Sequence, residues 1–434
     1  MKRRWVAILL AAGLVLTGIT GCGKKSEQKA EEKKSEEQSN VLRVLNGKAE
    51  VNDQLQELAK TYQQQTGVEV QIESSATGVD SQATLKGYYL SDQMPDILVC
   101  EGASFENWEG LLVDLSDQDW TSKTNAAYKD DQYGVLGFPY TTEAIGLIYN
   151  ADILQKAGVD PTGLTSPEAY KAAFDTLNEK KDELGLTAIV GMAANAENIG
   201  WSTGNHMFGA YLDSGLAMDD TTYFDQLQDG GKLDDSRIHH YTEFVQMLIK
   251  NADKKLLTEG TYDDQVKNFA SGKYAFVTQG SWIGSLLVGD DAAEYQSAGS
   301  FAVGMAPYAF EDGMDTILAS SPSWWAVCKE GNVEEAKKFL SWCATADGQQ
   351  ILVEKAGFIS PFTDCSYVAT DPFAGVVADY IANGKTSNWH WQSMKDGMGA
   401  NAIAPVFESL AKGDLSEEEF INTLQQQIAE YLKK

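Results

Sequence analysis

Tryptophans beside small polar residues recur at four places in the chain. Trp282 follows Gly280-Ser281 at the end of the apolar run "YAFVTQ". Trp201, Asn205 and His206 lie on "NIGWSTGNHMFGAYL", whose glycines permit close approach of backbone to a bound group. "SSPSWWAV" sets Trp324 beside Trp325, and "NWHWQSM" carries Trp389, His390 and Trp391. Ring faces stack on C–H surfaces, while nearby carboxylates and amides exchange hydrogen bonds with hydroxyls. That chemistry is recognition. Adjacent strand residues face opposite ways, so at most one of Trp324 and Trp325 points at a ligand and the other enters the core. Trp389 and Trp391 share a face if extended, with His390 opposite, and diverge if they start a helix.

Signs of bond-breaking chemistry are absent from the sequence. There are four histidines and no HExxH, no GxSxG and no GxxxxGK[ST]. His239-His240 reads as the first turn of a helix, so no metal site is expected, and no cofactor. With 63 acidic residues some carboxylate pair at glycosidase spacing is inevitable, so abundance alone decides nothing.

The elements that must position these residues follow from composition and period. The 434 residues suffice for two α/β lobes. A formal charge of -29 argues against nucleic acid, whose binding needs clustered Lys and Arg. Strand-like "VLRVLNG", helical "NDQLQELAKTYQQQTG", strand-like "VEVQIES" and "MPDILVCEG" give a βαβ rhythm and hence parallel strands covered by helices. The rhythm returns in "SPEAYKAAFDTLNEKKDELG" and "LTAIVGMAA", with Ser166 as N-cap, and in "TYDDQVKNFASGKYAFVTQGSW". "NVEEAKKFLSWCATADGQQILVEKAG" reads as two helices, and a last helix is capped by Ser416.

At the N-terminus, basic Met1–Arg4 precedes an apolar run of 16 residues, short for a membrane span, that ends in small residues before Cys22. This resembles the bacterial lipoprotein signal, which implies removal of residues 1–21 and lipid on Cys22. Residues 23–40, rich in Lys, Glu, Ser and Gln, read as a flexible linker. Cys100, Cys328, Cys343 and Cys365 lack CxxC spacing and read as buried free thiols.

Four passages carry a wider likeness: "NDQLQELAKTYQQQTGVEVQI" with "MPDILV"; "FPYTTEAIGLIYNADILQKAGVDP"; "GKYAFVTQGSWIGSLL"; and "WWAVCKEGNVEEAKKFLSWCATADGQQILVEKAGFISPF". In this order they resemble the extracytoplasmic sugar-binding proteins of ABC importers, the family that includes maltose-binding protein. The resemblance implies an α/β, two-lobed periplasmic-binding-protein type II fold. Each lobe would be a mostly parallel sheet flanked by helices, joined by a two- or three-segment hinge. The N-terminal lobe would span 41–139 plus about 308–346, and the C-terminal lobe 140–307 plus about 347–434. Crossings are expected at Phe138–Ala144, near 304–310 and near 345–352.

The resemblance further implies a monomer that holds an oligosaccharide of about two to four units between its lobes and presents it to permease subunits. Lipid on Cys22 would anchor it outside the cell membrane, in a Gram-positive type of envelope. Implied ligand residues are Trp282 as stacker and Glu143 in the crossing, with Tyr140 and Thr142 beside it. Glu101 follows the third strand, and Asn46 and Glu50 flank the first strand–helix turn. Trp201, His206, one of Trp324 and Trp325, and at least one of Trp389, His390 and Trp391 complete the set. The sequence departs from maltose-binding protein at Cys100, Ala103 and Ala49-Glu50, so the sugar would be held differently. Two alternatives stand: a binding protein for a non-sugar solute such as a polyamine, and a lipid-anchored glycoside hydrolase.

Overall fold

The structure, a computed structural model, describes residues 41–76 and 79–434. The lipidation expected at Cys22, the signal segment and the linker lie outside these residues. Apolar runs bounded by polar turns form twelve strands among the described residues: β1 Val41–Asn46, β2 Glu69–Ser74, β3 Ile97–Cys100, β4 Tyr128–Asp130, β5 Gly134–Pro139, β6 Glu143–Asn150, β7 Ala188–Gly191, β8 Tyr274–Gly280, β9 Val303–Ala306, β10 Ile317–Ser320, β11 Trp324–Val327 and β12 Thr386–Ser387.

They make two sheets, ordered β2-β1-β3-β11-β5-β4 and β12-β10-β6-β8-β7, with β9 also on β6. Each sheet is the centre of one lobe of an α/β architecture, as the sequence implied. The sheets are mixed rather than mostly parallel. β1 runs parallel to β2 and β3, but β11 enters antiparallel between β3 and β5. In the second sheet β7–β8 and β10–β12 are parallel, and β6 is antiparallel to each of its partners. The cause is that the chain crosses between lobes, so strands arrive from the far lobe without a βαβ return.

Helices form where the period places them. Asn52–Thr66 buries Leu55, Leu58, Ala59 and Tyr62 on one face and stops at Gly67, whose φ of 80° suits the left-handed C-cap. Pro167–Glu179 starts at Ser166, whose side chain accepts from the Ala169 N–H. Glu417–Leu432 starts at the capping box of Ser416 and Glu419.

The lobe boundaries differ from those expected. β9 and β10 pair one after the other along the same edge of β6, which keeps the chain in the second lobe until Ser320. Ile351, Leu352, Phe358 and Phe362 pack into the first lobe's core instead of the second's. The crossings are therefore residues 140–142, residues 321–323, and the stretch between Phe362 and the helix Ala374–Ala382. The first lies within the stretch Phe138–Ala144. The other two lie later in the chain than expected.

Trp324 and Trp325 correct another expectation. They face opposite sides of β11, as strand geometry requires, but neither reaches a cleft. β11 is an interior strand with both faces covered, so Trp325 enters the core around Phe138, Tyr140 and Phe339 while Trp324 enters that around Phe105 and Tyr128. Cys100, Cys328 and Cys343 are buried free thiols, as expected, and Cys365 is free but half-buried.

Candidate ligand-binding site

β1 and β3 are parallel, so their carboxyl ends open on the same side of the first sheet, where ligands of α/β sheets gather. Beyond β1 lies Gly47-Lys48 and the turn Ala49–Val51; beyond β3 lies Glu101. The second lobe faces them with Glu143 at the start of β6 and Trp282 beyond the end of β8. Ser281 locks those two ends together: its N–H donates to the Ala144 carbonyl at 2.8 Å, and its Oγ accepts from the Ala144 N–H at 3.0 Å. Between the lobes is a cavity of about 900 Å³.

One wall of the cavity is aromatic. His206 sits at its centre, with ring centroids 5.2 Å from Trp201, 4.9 Å from Trp282, 5.9 Å from Trp389 and 5.1 Å from Trp391. Trp201 and His206 are carried by Ser202–Met207, a widened helical turn, and the residue before it. Burial, and then the nearby Lys48 charge, push His206 down to about 3, so its ring is neutral at physiological pH. The Nδ1 of His206 and the Nε1 of Trp389 and Trp391 have no hydrogen-bond partner among the described residues.

The opposite side is ionic. Lys48 Nζ donates to Glu143 Oε1 at 2.5 Å and to Glu50 Oε1 at 3.4 Å, joining the two lobes. Burial opposes the Lys48 charge, but Glu143 and Glu50 outweigh it and raise the ammonium well above the usual lysine range. Glu101 is solvent-accessible within the cleft yet has protein on both sides; desolvation, then Asp80 and Asp396, raise it to about 7. Behind the floor, Asp371 from the third crossing is raised to about 7 by burial.

Of the residues implied by sequence, Glu50, Glu101, Glu143, Trp201, His206, Trp282, Trp389 and Trp391 line this one cavity. Six others do not. Asn46 is buried and donates to the Lys48 carbonyl at 2.8 Å and to Ser74 Oγ at 3.1 Å, holding the turn that carries Lys48. Tyr140 is buried against Trp325 and bonded to Ser323. Thr142 lines a small space behind the floor and donates its N–H to the Ile359 carbonyl at 2.7 Å. Trp324 and Trp325 belong to the core. His390 turns away from the cleft: its backbone N–H and Nδ1 bond the two oxygens of Asp213 at 2.9 and 2.5 Å, which fixes the loop bearing Trp389 and Trp391.

Asn205, named from the sequence beside Trp201 and His206, also lines the cavity, as do Lys48, Tyr262 and Gln392, which were not anticipated. Lys48 is two residues from Glu50, in the turn the sequence did single out. Among the described residues no group of three His, Cys, Asp or Glu side chains is placed to hold a metal. No helix among them is long and apolar enough to cross a membrane.

Comparison with known proteins agrees with this geometry. A glycerol-3-phosphate-binding periplasmic protein, UgpB, of Rhizobium meliloti is 27% identical over 251 residues, 56% of this chain and 53% of that protein. The chain thus matches about half the length of that curated relative. A sugar transporter of Bacillus licheniformis, solved in complex with stachyose, superposes with a TM-score of 0.70 at 20% identity, covering 90% of this chain and 99% of that one. The GacH receptor of Streptomyces glaucescens, solved unliganded and with acarbose, gives 0.68 at 17% identity, covering 91% and 98%. These likenesses establish the two-lobed fold. The sequence profile of the bacterial extracellular solute-binding proteins matches residues 57–376, and the chain belongs to that family.

Proposed function

We propose that this chain is the substrate-binding lipoprotein of an ABC importer, which captures an oligosaccharide between its lobes and delivers it to membrane permease subunits. In this reading lipid on Cys22 anchors a monomer on the extracytoplasmic face of a Gram-positive type of envelope. The observation that carries the sugar assignment is the cavity between the sheets, aromatic on one side and rimmed by carboxylates on the other. Its size lies near the top of the range of about 300–1,000 Å³ for small-molecule pockets, more than one sugar ring needs. Trp282 and Trp201, both half-buried, offer stacking faces, while Trp389 and Trp391 are buried within the wall they belong to. Glu143, Glu50 and Glu101 are the hydrogen-bond acceptors for sugar hydroxyls, and Lys48 is a donor.

The stachyose- and acarbose-bound neighbours are oligosaccharide complexes, which supports the reading by analogy of fold. A polyamine suits the carboxylates but has no ring C–H faces for Trp201 and Trp282. A hydrolase needs a free acid and base, whereas Glu143 and Glu50 are both tied to Lys48. A thermal-shift panel of mono- and oligosaccharides, spermidine and glycerol 3-phosphate tests the reading. A cleft ligand raises the melting temperature as RT ln(1 + [L]/Kd) requires. Stabilisation by oligosaccharides supports the assignment; stabilisation by spermidine and by no sugar sinks it, and reducing ends released on long incubation favour the hydrolase.

A further inference from the structure

The charge in the cleft is lopsided. Nine carboxylates line it against three lysines. Two of those lysines are engaged: Lys48 by Glu143 and Glu50, and Lys267 by Glu294, 3.0 Å from its Oε1. The third, Lys395, is exposed and directly precedes Asp396. No arginine lines the cleft among the described residues. A phosphate or carboxylate on a ligand is ordinarily gripped by an arginine fork or clustered lysines. Here it would meet acids instead, with ring faces whose quadrupole repels anions.

Three of the acids meet at one end. Glu101 and Asp80 come from the first lobe and Asp396 from the second. Asp80 caps the helix Ser81–Leu90, and Asp396 accepts from Asn107 Nδ2 at 3.0 Å with Lys86 at 3.8 Å, so Lys86 offsets part of the charge. Glu101 carries no ion pair among the described residues. Gly102 packs directly on the backbone of Gln392, where a Cβ would lie 2.4 Å from the carbonyl oxygen, so Glu101 is brought beside the Trp391 loop. Trp391, only 6% exposed, lines the same cavity with its Nε1 unpartnered. Desolvation first, and then the Asp80 and Asp396 charges, raise Glu101 to about 7, so the three carboxylates lie within electrostatic reach of one another.

We propose that the cleft selects its saccharide by charge, favouring amine-bearing over neutral oligosaccharides and rejecting uronic and phosphorylated ones, with Glu101, Asp80 and Asp396 setting the preference. The inference rests on the saccharide reading above. An ammonium on the sugar is drawn to these carboxylates. It follows that this chain differs in ligand charge from its glycerol-3-phosphate-binding relative.

The test is calorimetric titration of the full-length protein with two matched pairs: chitotriose against its deacetylated triamine, and trigalacturonate methyl ester against the free acid. The triamine binds about tenfold tighter than the N-acetylated trimer at low salt, and the gap narrows as salt screens the field. The free acid binds more weakly than its ester by a similar factor. Glu101→Gln with Asp396→Asn closes both gaps. A triamine that binds no better than the N-acetylated trimer, a free acid that binds as well as its ester, or gaps that survive in the double variant overturn the proposal. If no saccharide of any charge binds and spermidine or glycerol 3-phosphate does, the underlying saccharide reading has failed instead.

Discussion

Lys48 holds the centre of the site. Its ammonium, 12% exposed, joins Glu50 from its own lobe to Glu143 from the other. Removing one partner of such a pair leaves a buried charge unmatched, which is costlier than removing both. Lys48→Met therefore destabilises the chain by roughly 3–5 kcal/mol in urea unfolding. Lys48→Met with Glu143→Leu restores much of that, so the two changes are strongly non-additive. Additive losses would mean that the pair does not couple the lobes. This residue escaped the sequence reading because the family's first-turn pair aligned with Ala49-Glu50, while the folded turn presents Lys48 instead. His390 shows the converse. Its place between two tryptophans suggested a ligand contact, but the buried carboxylate of Asp213, 177 residues away, claims its ring. No local pattern carries that pairing.

At the scale of elements, the aromatic wall depends on backbones in close contact. Gly204, in the turn that carries Trp201 and His206, abuts Gly399: a Cβ at Gly204 would lie 2.1 Å from the Gly399 carbonyl oxygen. That atom is backbone and cannot swing aside. Gly204→Ala costs about 1–3 kcal/mol, the usual penalty for overpacking, read as a lower melting temperature. It also weakens ligand binding, because the turn moves relative to the Trp389–Trp391 loop. A variant that melts and binds as the parent does would show that the wall tolerates displacement. The helices and most strands were legible, since periodicity and caps such as Ser166 and Ser416 are local signals. Sheet membership was not. The adjacent tryptophans of β11 read as cleft candidates because nothing nearby reveals that β3 and β5 flank that strand on both sides.

At the scale of the molecule, three crossings join the lobes, and a second contact closes one edge of the cleft, where Asn107 Nδ2 meets Asp396 Oδ2. A ligand between the sheets touches both lobes at once, so its binding energy favours closure over opening. The two-lobed plan was legible because four motifs in order span most of the chain. The later crossings were not, because β9 and β10 stay in the second lobe only through their pairing with β6, which is non-local. The central claim is that a saccharide sits between Trp282 and Glu143. A crystal structure of the complex with the saccharide that stabilises the protein most tests it directly. The account predicts a sugar ring stacked on Trp282, with hydroxyls in hydrogen-bond reach of Glu143 and Lys48. A saccharide bound to one lobe alone, or away from Trp282, would contradict it.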